Sequence, residues 1–259
     1  MSDTNAQGLG QQPGREAYSS IVELRQYTLR SGRREDLITL FEEHFIEGQE
    51  QCGMHILGQF RQRSRPDQFV WLRGFPDMEG RRQALQSFYY GPIWQEHRNA
   101  ANDTMIDSDN VLLLKPAGPR GSIHLDLSER PGKDAPEIPR GLVLITLYAF
   151  ASPVEVRFIE FFEQEMAPVL RSTGAPIRGY FVAETSKNTF PALPVREGEH
   201  IFTWLATFAD EATYRSYRRA LQESQAWTTS ILPVLQQWLM KPEDVLELFP
   251  TRRSLMGHR

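Results

Sequence analysis

The sequence predicts an α+β fold made of two tandem ferredoxin-like β-α-β-β-α-β repeats. Three observations predict it. First, the chain matches itself. At an offset of 121 residues, Val22 falls on Val143, Tyr27 on Tyr148, Phe41 on Phe162, Gly53 on Gly174 and Phe60 on Phe181, with no gap. Second, the match resumes at an offset of 133, with Trp71 on Trp204, Phe75 on Phe208, Asp77 on Asp210, Arg82 on Arg215 and Trp94 on Trp227. The change places a 12-residue insertion near 183–200 of the second copy. A repeat of about 100 residues is domain-sized and too long for a solenoid unit. Third, apolar spacing inside each copy switches between the strand period and the helix period in one order.

In the first copy, Ile21–Leu29 alternates and carries Val, Leu and Tyr, so it reads as a strand that Ser31-Gly32 ends. Leu37, Leu40, Phe41, His44 and Phe45 recur at helical spacing over 34–51, and Gly53 supplies the C-cap. Residues 55–63 and Gln68–Phe75 read as two strands joined around Arg65-Pro66-Asp67. Pro76-Asp77 opens a helix over 78–88, a broken helical stretch Pro92–Asn102 follows, and 110–115 is the last strand. The predicted organisation is a disordered arm at 1–19, a first domain at 20–116, a linker at 117–140 with a short strand near 123–127, a second domain at 141–250 and a tail at 251–259.

Composition narrows the function. With 29 Lys plus Arg against 33 Asp plus Glu, the formal charge is −4, which argues against nucleic acid as a partner. The single cysteine, Cys52, excludes an intrachain disulfide framework and fits a reducing compartment, the cytoplasm. No apolar run approaches the ~18 residues of a membrane span, so no membrane partner is expected. No two histidines fall at i, i+3 or i, i+4, so no metal site is expected.

The run Val22-Glu23-Leu24-Arg25-Gln26-Tyr27-Thr28-Leu29 with Ser31-Gly32-Arg33 resembles the opening strand of the NIPSNAP family. Trp71-Leu72-Arg73-Gly74-Phe75 with Asp77, Arg82 and Trp94 is similar as well. The likeness covers 21–116 well and 141–250 more weakly, because Glu23 and Arg25 become Leu144 and Thr146. It implies the dimeric α+β barrel superfamily, here with both copies forming one pseudo-dimeric barrel within a chain. Relatives in that superfamily include cofactor-free oxygenases, isomerases and haem enzymes. Haem is disfavoured here, since 141–250 holds only His200, inside the insertion. No cofactor is expected.

Strand alternation puts Glu23, Arg25 and Tyr27 on one face, and Phe69, Trp71, Arg73 and Phe75 on one face of the partner strand. Two readings stay open. In the first, the chain is a cofactor-independent enzyme, oxygenase-, isomerase- or lyase-like, acting on a small apolar or aromatic molecule in the first copy. His44 is then the acid or base, Arg25 binds an anion or enolate, and Tyr27 donates a hydrogen bond. Glu23 and Arg73 orient a polar head, and Trp71 and Phe75 form walls. In the second, these residues are spent in salt bridges and core packing, and the chain is a non-catalytic binding or assembly protein of the same family. The first reading expects a void beside the polar residues of copy one and tight packing at the matching positions of copy two. Arg82 and Arg215 are expected where each second helix meets the sheet. The Phe88-Tyr89-Tyr90 cluster reads as a pocket lid or a contact in a homo-oligomer.

Overall fold

Alternation along Ile21–Leu29 decides the layering. Val22 and Leu24 point to one side of the sheet, and Glu23, Arg25 and Tyr27 to the other. In the computed structural model, which describes residues 16–135 and 139–257, the first side faces the inside of a closed barrel and the second is covered by helices.

The first copy runs β2 (Ile21–Leu29), helix α1 (34–51), β3 (His55–Gln62), β4 (Gln68–Phe75), α2 (Met78–Tyr89), α3 (Pro92–Asn102), a short β5 (Met105–Asp107) and β6 (Val111–Pro116). The second runs β8 (Leu142–Ala149), α4 (156–172), β9 (Ile177–Ala183), β10 (Ile201–Phe208), α5 (Glu211–Glu223), α6 (226–238) and β11 (Asp244–Pro250). The remaining strands, β1 (Glu16–Ala17) and β7 (Leu125–Asp126), pair with each other.

Within each copy the strands lie in the ferredoxin-like order, β6-β2-β4-β3 and β11-β8-β10-β9, all antiparallel. The two sheets join at equivalent edges. Leu114, Lys115 and Pro116 of β6 pair with Ala183, Val182 and Phe181 of β9, and Leu248, Phe249 and Pro250 of β11 pair with Gln62, Arg61 and Phe60 of β3. Each copy alone would expose two strand edges; closure pairs them all. The barrel interior is filled by Val22, Leu24, Val70, Leu72, Val143, Ile145, Leu205, Leu246 and Leu248, so it is a core and not a channel.

Both first helices contain a π-helical turn at the same offset, Phe41–Phe45 and Phe162–Met166. The apolar period reads as an unbroken helix because the one extra residue of a π turn moves the stripe by a position without interrupting it. Gly53 and Gly174 end these helices at φ 92° and 107°, a conformation that favours glycine.

Two boundaries differ from expectation, at the arm and the tail. The predicted arm 1–19 lies outside the described residues up to 15, but 16–19 are ordered. Ser19 is buried against Gly74 and its hydroxyl is 3.1 Å from His55 Nδ1. The predicted tail is anchored too, because Arg253 donates to the Glu42 carbonyl (2.6 Å) and pairs with Glu47. The insertion forms an extended loop over 184–200 that packs on the first copy, with Phe190, Leu193 and Val195 joining the cluster under α1 and α2.

Candidate functional site

Each copy has a space between the outer face of its sheet and its helices, and the two spaces are built oppositely. In the first, register sets Glu23 beside Arg73 and Arg25 beside Trp71. Glu23 is wholly buried and accepts from Arg25 Nη1 (2.8 Å), Arg73 Nε (2.7 Å) and, from α2, Arg81 Nε (2.7 Å). Burial alone would raise the Glu23 carboxyl; the attraction of Arg73, Arg25 and Arg81 wins and holds it far below the usual carboxylate range. Arg25 Nε donates to the Tyr27 hydroxyl (3.0 Å), and Arg73 Nη1 to Gln49 Oε1 (2.9 Å). The insertion loop closes this space from above. Arg81 Nη1 donates to Asn188 Oδ1 (3.0 Å) and Thr189 Oγ1 (3.1 Å), and Phe190 stacks on Tyr89 with ring centroids 6.0 Å apart. What remains is a cavity of about 30 Å³ bordered by Tyr27, Phe41, Phe45, Gln49, Trp71 and Phe88 among others.

The depressed Glu23 pKa has a defined sign. A carboxyl whose folded pKa is lowered contributes stability above its unfolded pKa and loses it as pH falls through the folded value. The difference in melting temperature between the wild type and Glu23→Gln is therefore expected to hold from about pH 7 to about pH 5 and to shrink only in stronger acid. A difference that vanishes by about pH 5 would contradict the network as described.

In the second copy the charged set is absent. Leu144, Thr146, Ala206 and Tyr214 stand where Glu23, Arg25, Arg73 and Arg81 stand in the first. Among the described residues nothing equivalent to the insertion loop covers this space, and Leu221 replaces Phe88. Here the cavity measures about 220 Å³, lined by Tyr148, Trp204, Tyr214, Tyr217 and Trp227 with Thr146, Arg218, Glu243 and Glu247. Trp204 Nε1 donates to the Tyr148 hydroxyl (3.1 Å), whose own proton has no acceptor among the described residues. Glu247 is committed: it accepts from Tyr214 (2.6 Å) and from Arg63 of the first copy (3.0 Å). Glu243 is different. It sits where the cavity meets a surface groove lined by Leu239, Lys241 and Pro242, and no hydrogen bond or ion pair engages it among the described residues. The residue keeps solvent contact, yet burial pushes its carboxyl above the ordinary range. Burial first, and then the Glu243 charge, raise the phenols of Tyr148 and Tyr217.

The sequence-predicted residues therefore separate. Tyr27 and Trp71 line the small cavity; Glu23, Arg25 and Arg73 form the closed network beside it; Phe75 is buried with the Arg73 guanidinium 5.5 Å from its ring. His44 does not face the gap. Its side chain is 38 % exposed and its ring stacks on His97 at 3.9 Å, on the solvent side of α1 and α3. The expected asymmetry is reversed, because the polar copy is packed and the neutral copy is open. Arg82 and Arg215 lie on helix surfaces, paired with Glu79 and Glu211, and the buried arginine is their neighbour Arg81.

Residues 22–118 match the NIPSNAP family model. The first copy is a NIPSNAP domain. No curated protein matches the chain. Among solved structures, a protein from Lactobacillus acidophilus NCFM provisionally named as a monooxygenase is similar at 10 % identity and TM-score 0.53, covering 92 % of this chain and 99 % of its own. An anthrone oxidase-like protein is similar at 10 % identity and TM-score 0.55, over 89 % and 91 % of the two chains. A NIPSNAP family protein of unknown function from Agrobacterium tumefaciens is 20 % identical with TM-score 0.35, over 38 % and 91 %. The first two share the α+β barrel fold over most of the chain.

Two residues escaped the sequence reading. Arg81 of the NIPSNAP domain has Tyr214 opposite it, so a search for repeated residues favoured Arg82 instead. Glu243 did leave a signal. At the offset of 134 that aligns Pro116 with Pro250, it falls on Asp109, so each copy carries an acid just before its last strand.

Among the described residues no helix is long and apolar enough to cross a membrane.

Proposed function

We propose that the chain is a cofactor-independent enzyme that moves a proton on a small aromatic molecule held in the helix–sheet cavity of the second copy. The observation that carries this reading is the cavity of about 220 Å³ with Tyr148, Trp204, Tyr217 and Trp227 in its walls and an uncommitted carboxyl, Glu243, at its edge. Its volume suits one or two rings, and its composition, mostly apolar with a few placed polar groups, is that of small-molecule sites. Glu243 carboxylate takes a proton from an acidic C–H or O–H of the ligand. The electron pair stays on the ligand as an enolate or phenolate, and the Tyr148 hydroxyl donates to its oxygen. Return of the same proton to another atom completes a tautomerisation without any further reactant. The raised pKa makes Glu243 a stronger base than a glutamate at its ordinary value. Names of the monooxygenase and oxidase type on similar structures accord with a first step of this kind and specify nothing further.

The NIPSNAP domain supports the non-catalytic reading for its own half. Glu23, Arg25 and Arg73 bond to one another, so Arg25→Ala is expected to lower the melting temperature and leave ligand binding in the second copy unchanged.

The test is saturation-transfer NMR with one- and two-ring phenols and cyclic 1,3-diketones, followed by deuterium uptake by bound members of the panel in D2O. Exchange is expected to slow at least ~100-fold in Glu243→Gln while affinity is retained. Absence of binding across the panel, or unchanged exchange in that variant, would overturn the proposal. The stability sign is a separate check. A raised carboxyl pKa gives a contribution present at low pH and lost as pH rises through the folded value. Glu243→Gln is therefore expected to melt no lower than the wild type at neutral pH.

A further inference from the structure

The first copy carries an unbalanced charge. Arg25, Arg73 and Arg81 are each about 99 % buried or more, and among the described residues Glu23 is the one carboxylate paired with them. A surplus of buried cations is unfavourable unless something negative accompanies it. Donors in the same layer are also unspent. Arg73 Nη2, Arg81 Nη2 and Trp71 Nε1 are buried without a partner among the described residues, and so are both amide atoms of Gln59.

Register brings these groups together. Gln59 of β3 lies opposite Trp71 of β4, which lies opposite Arg25 of β2, so the three form one row across the outer face. Arg73 is on the same face, and the guanidinium carbons of Arg25 and Arg73 lie 5.5 Å and 5.0 Å from the Trp71 ring centroid. Trp71 also borders the cavity of about 30 Å³. That space admits a water-sized particle and so one small ion, and Trp71 is the residue it shares with this row.

We infer that the first copy binds one small inorganic monoanion of chloride size, beside the Arg25–Trp71–Arg73 group. The ion takes the Trp71 Nε1 hydrogen and the Gln59 Nε2 donor and offsets part of the guanidinium charge. The second copy is an internal control. Tyr180 stands at the Gln59 position and donates to Glu163, and no charged residue replaces Glu23, Arg25, Arg73 or Arg81, so nothing there calls for an anion. The loop bearing Asn188, Thr189 and Phe190 lies over the site, so exchange of the ion requires that loop to lift.

The test uses the whole chain, dialysed into sodium gluconate and titrated with sodium bromide at constant ionic strength. The expected result is a saturable rise in melting temperature of about 5 °C with bromide or chloride and none with sulfate. Crystals soaked in bromide are expected to show one anomalous peak beside Trp71 Nε1. Trp71→Phe keeps an aromatic ring and removes the donor, so its halide response should weaken at least ~3-fold in affinity. A melting temperature indifferent to halide overturns the inference. So does an anomalous map without a peak at Trp71, which does not depend on any variant folding, or a full halide response in Trp71→Phe. None of these outcomes bears on Glu243, so failure here leaves the proposed proton transfer standing.

Discussion

Glu23→Leu is expected to cost on the order of 4 kcal/mol. The leucine fits sterically, as Leu144 does at the matching position. The loss is electrostatic. Three guanidinium groups at 2.7–2.8 Å from the Glu23 carboxylate would remain buried with no opposite charge. Removing one partner of a buried ion pair costs more than the pair itself contributes, because the other charge is left desolvated. Converting the whole set is another matter. The fourfold variant Glu23→Leu, Arg25→Thr, Arg73→Ala and Arg81→Tyr copies the second copy's solution at every charged position. It is expected to recover part of the lost stability, since no buried charge is left unpaired, while the space vacated at Arg25 and Arg73 keeps a cavity cost. Urea unfolding of the wild type, the single variant and the fourfold variant measures both quantities. A single-variant loss below about 1 kcal/mol would show that the cluster is not what holds this half together. A fourfold variant weaker than Glu23→Leu would show that the two copies are not interchangeable at this layer.

Replacing residues 186–197 by a short glycine-serine turn is expected to lower the melting temperature by about 10 °C, with the loss confined to the first copy. The loop belongs to the second copy in sequence and to the first in packing. Phe190 is 7 % exposed and sits among the residues of the first helix–sheet layer, where a Phe→Ala change alone typically costs about 3 kcal/mol. Its removal also strips Arg81 of Asn188 and Thr189. Hydrogen exchange should quicken over Met78–Tyr89 and stay unchanged over Glu211–Glu223, which the loop does not cover. Equal acceleration of both helices would mean that the two halves unfold as one unit, and would remove the basis for treating the loop as a local lid.

Much of the fold was legible in the residue pattern. Alternation in Ile21–Leu29 and Gln68–Phe75, helical spacing over 34–51 and the two offsets sufficed for the order of elements along each copy, because side-chain period and local turns are properties of short segments. The same alternation placed Glu23, Arg25, Tyr27, Trp71 and Arg73 on one face, where they meet. His44 misled because a helical stripe has edges. One residue's rotation, supplied by the π turn at Phe41–Phe45, separates a side chain in the gap from one stacked on His97 in solvent.

The sequence by itself determined which residues share a face, that the chain is built twice, and that the two copies differ in their charges. Only the tertiary structure decided which copy is open. That outcome depends on contacts between residues more than 100 positions apart: Arg81 with Asn188, Tyr89 with Phe190, and Arg63 with Glu247. Buried charge needs opposite charge or polar partners, so the three arginines draw in Glu23, Gln49 and a loop from the other half until little space remains. A neutral layer makes no such demand, and in the second copy aromatic side chains stand around a cavity with Glu243 at its edge.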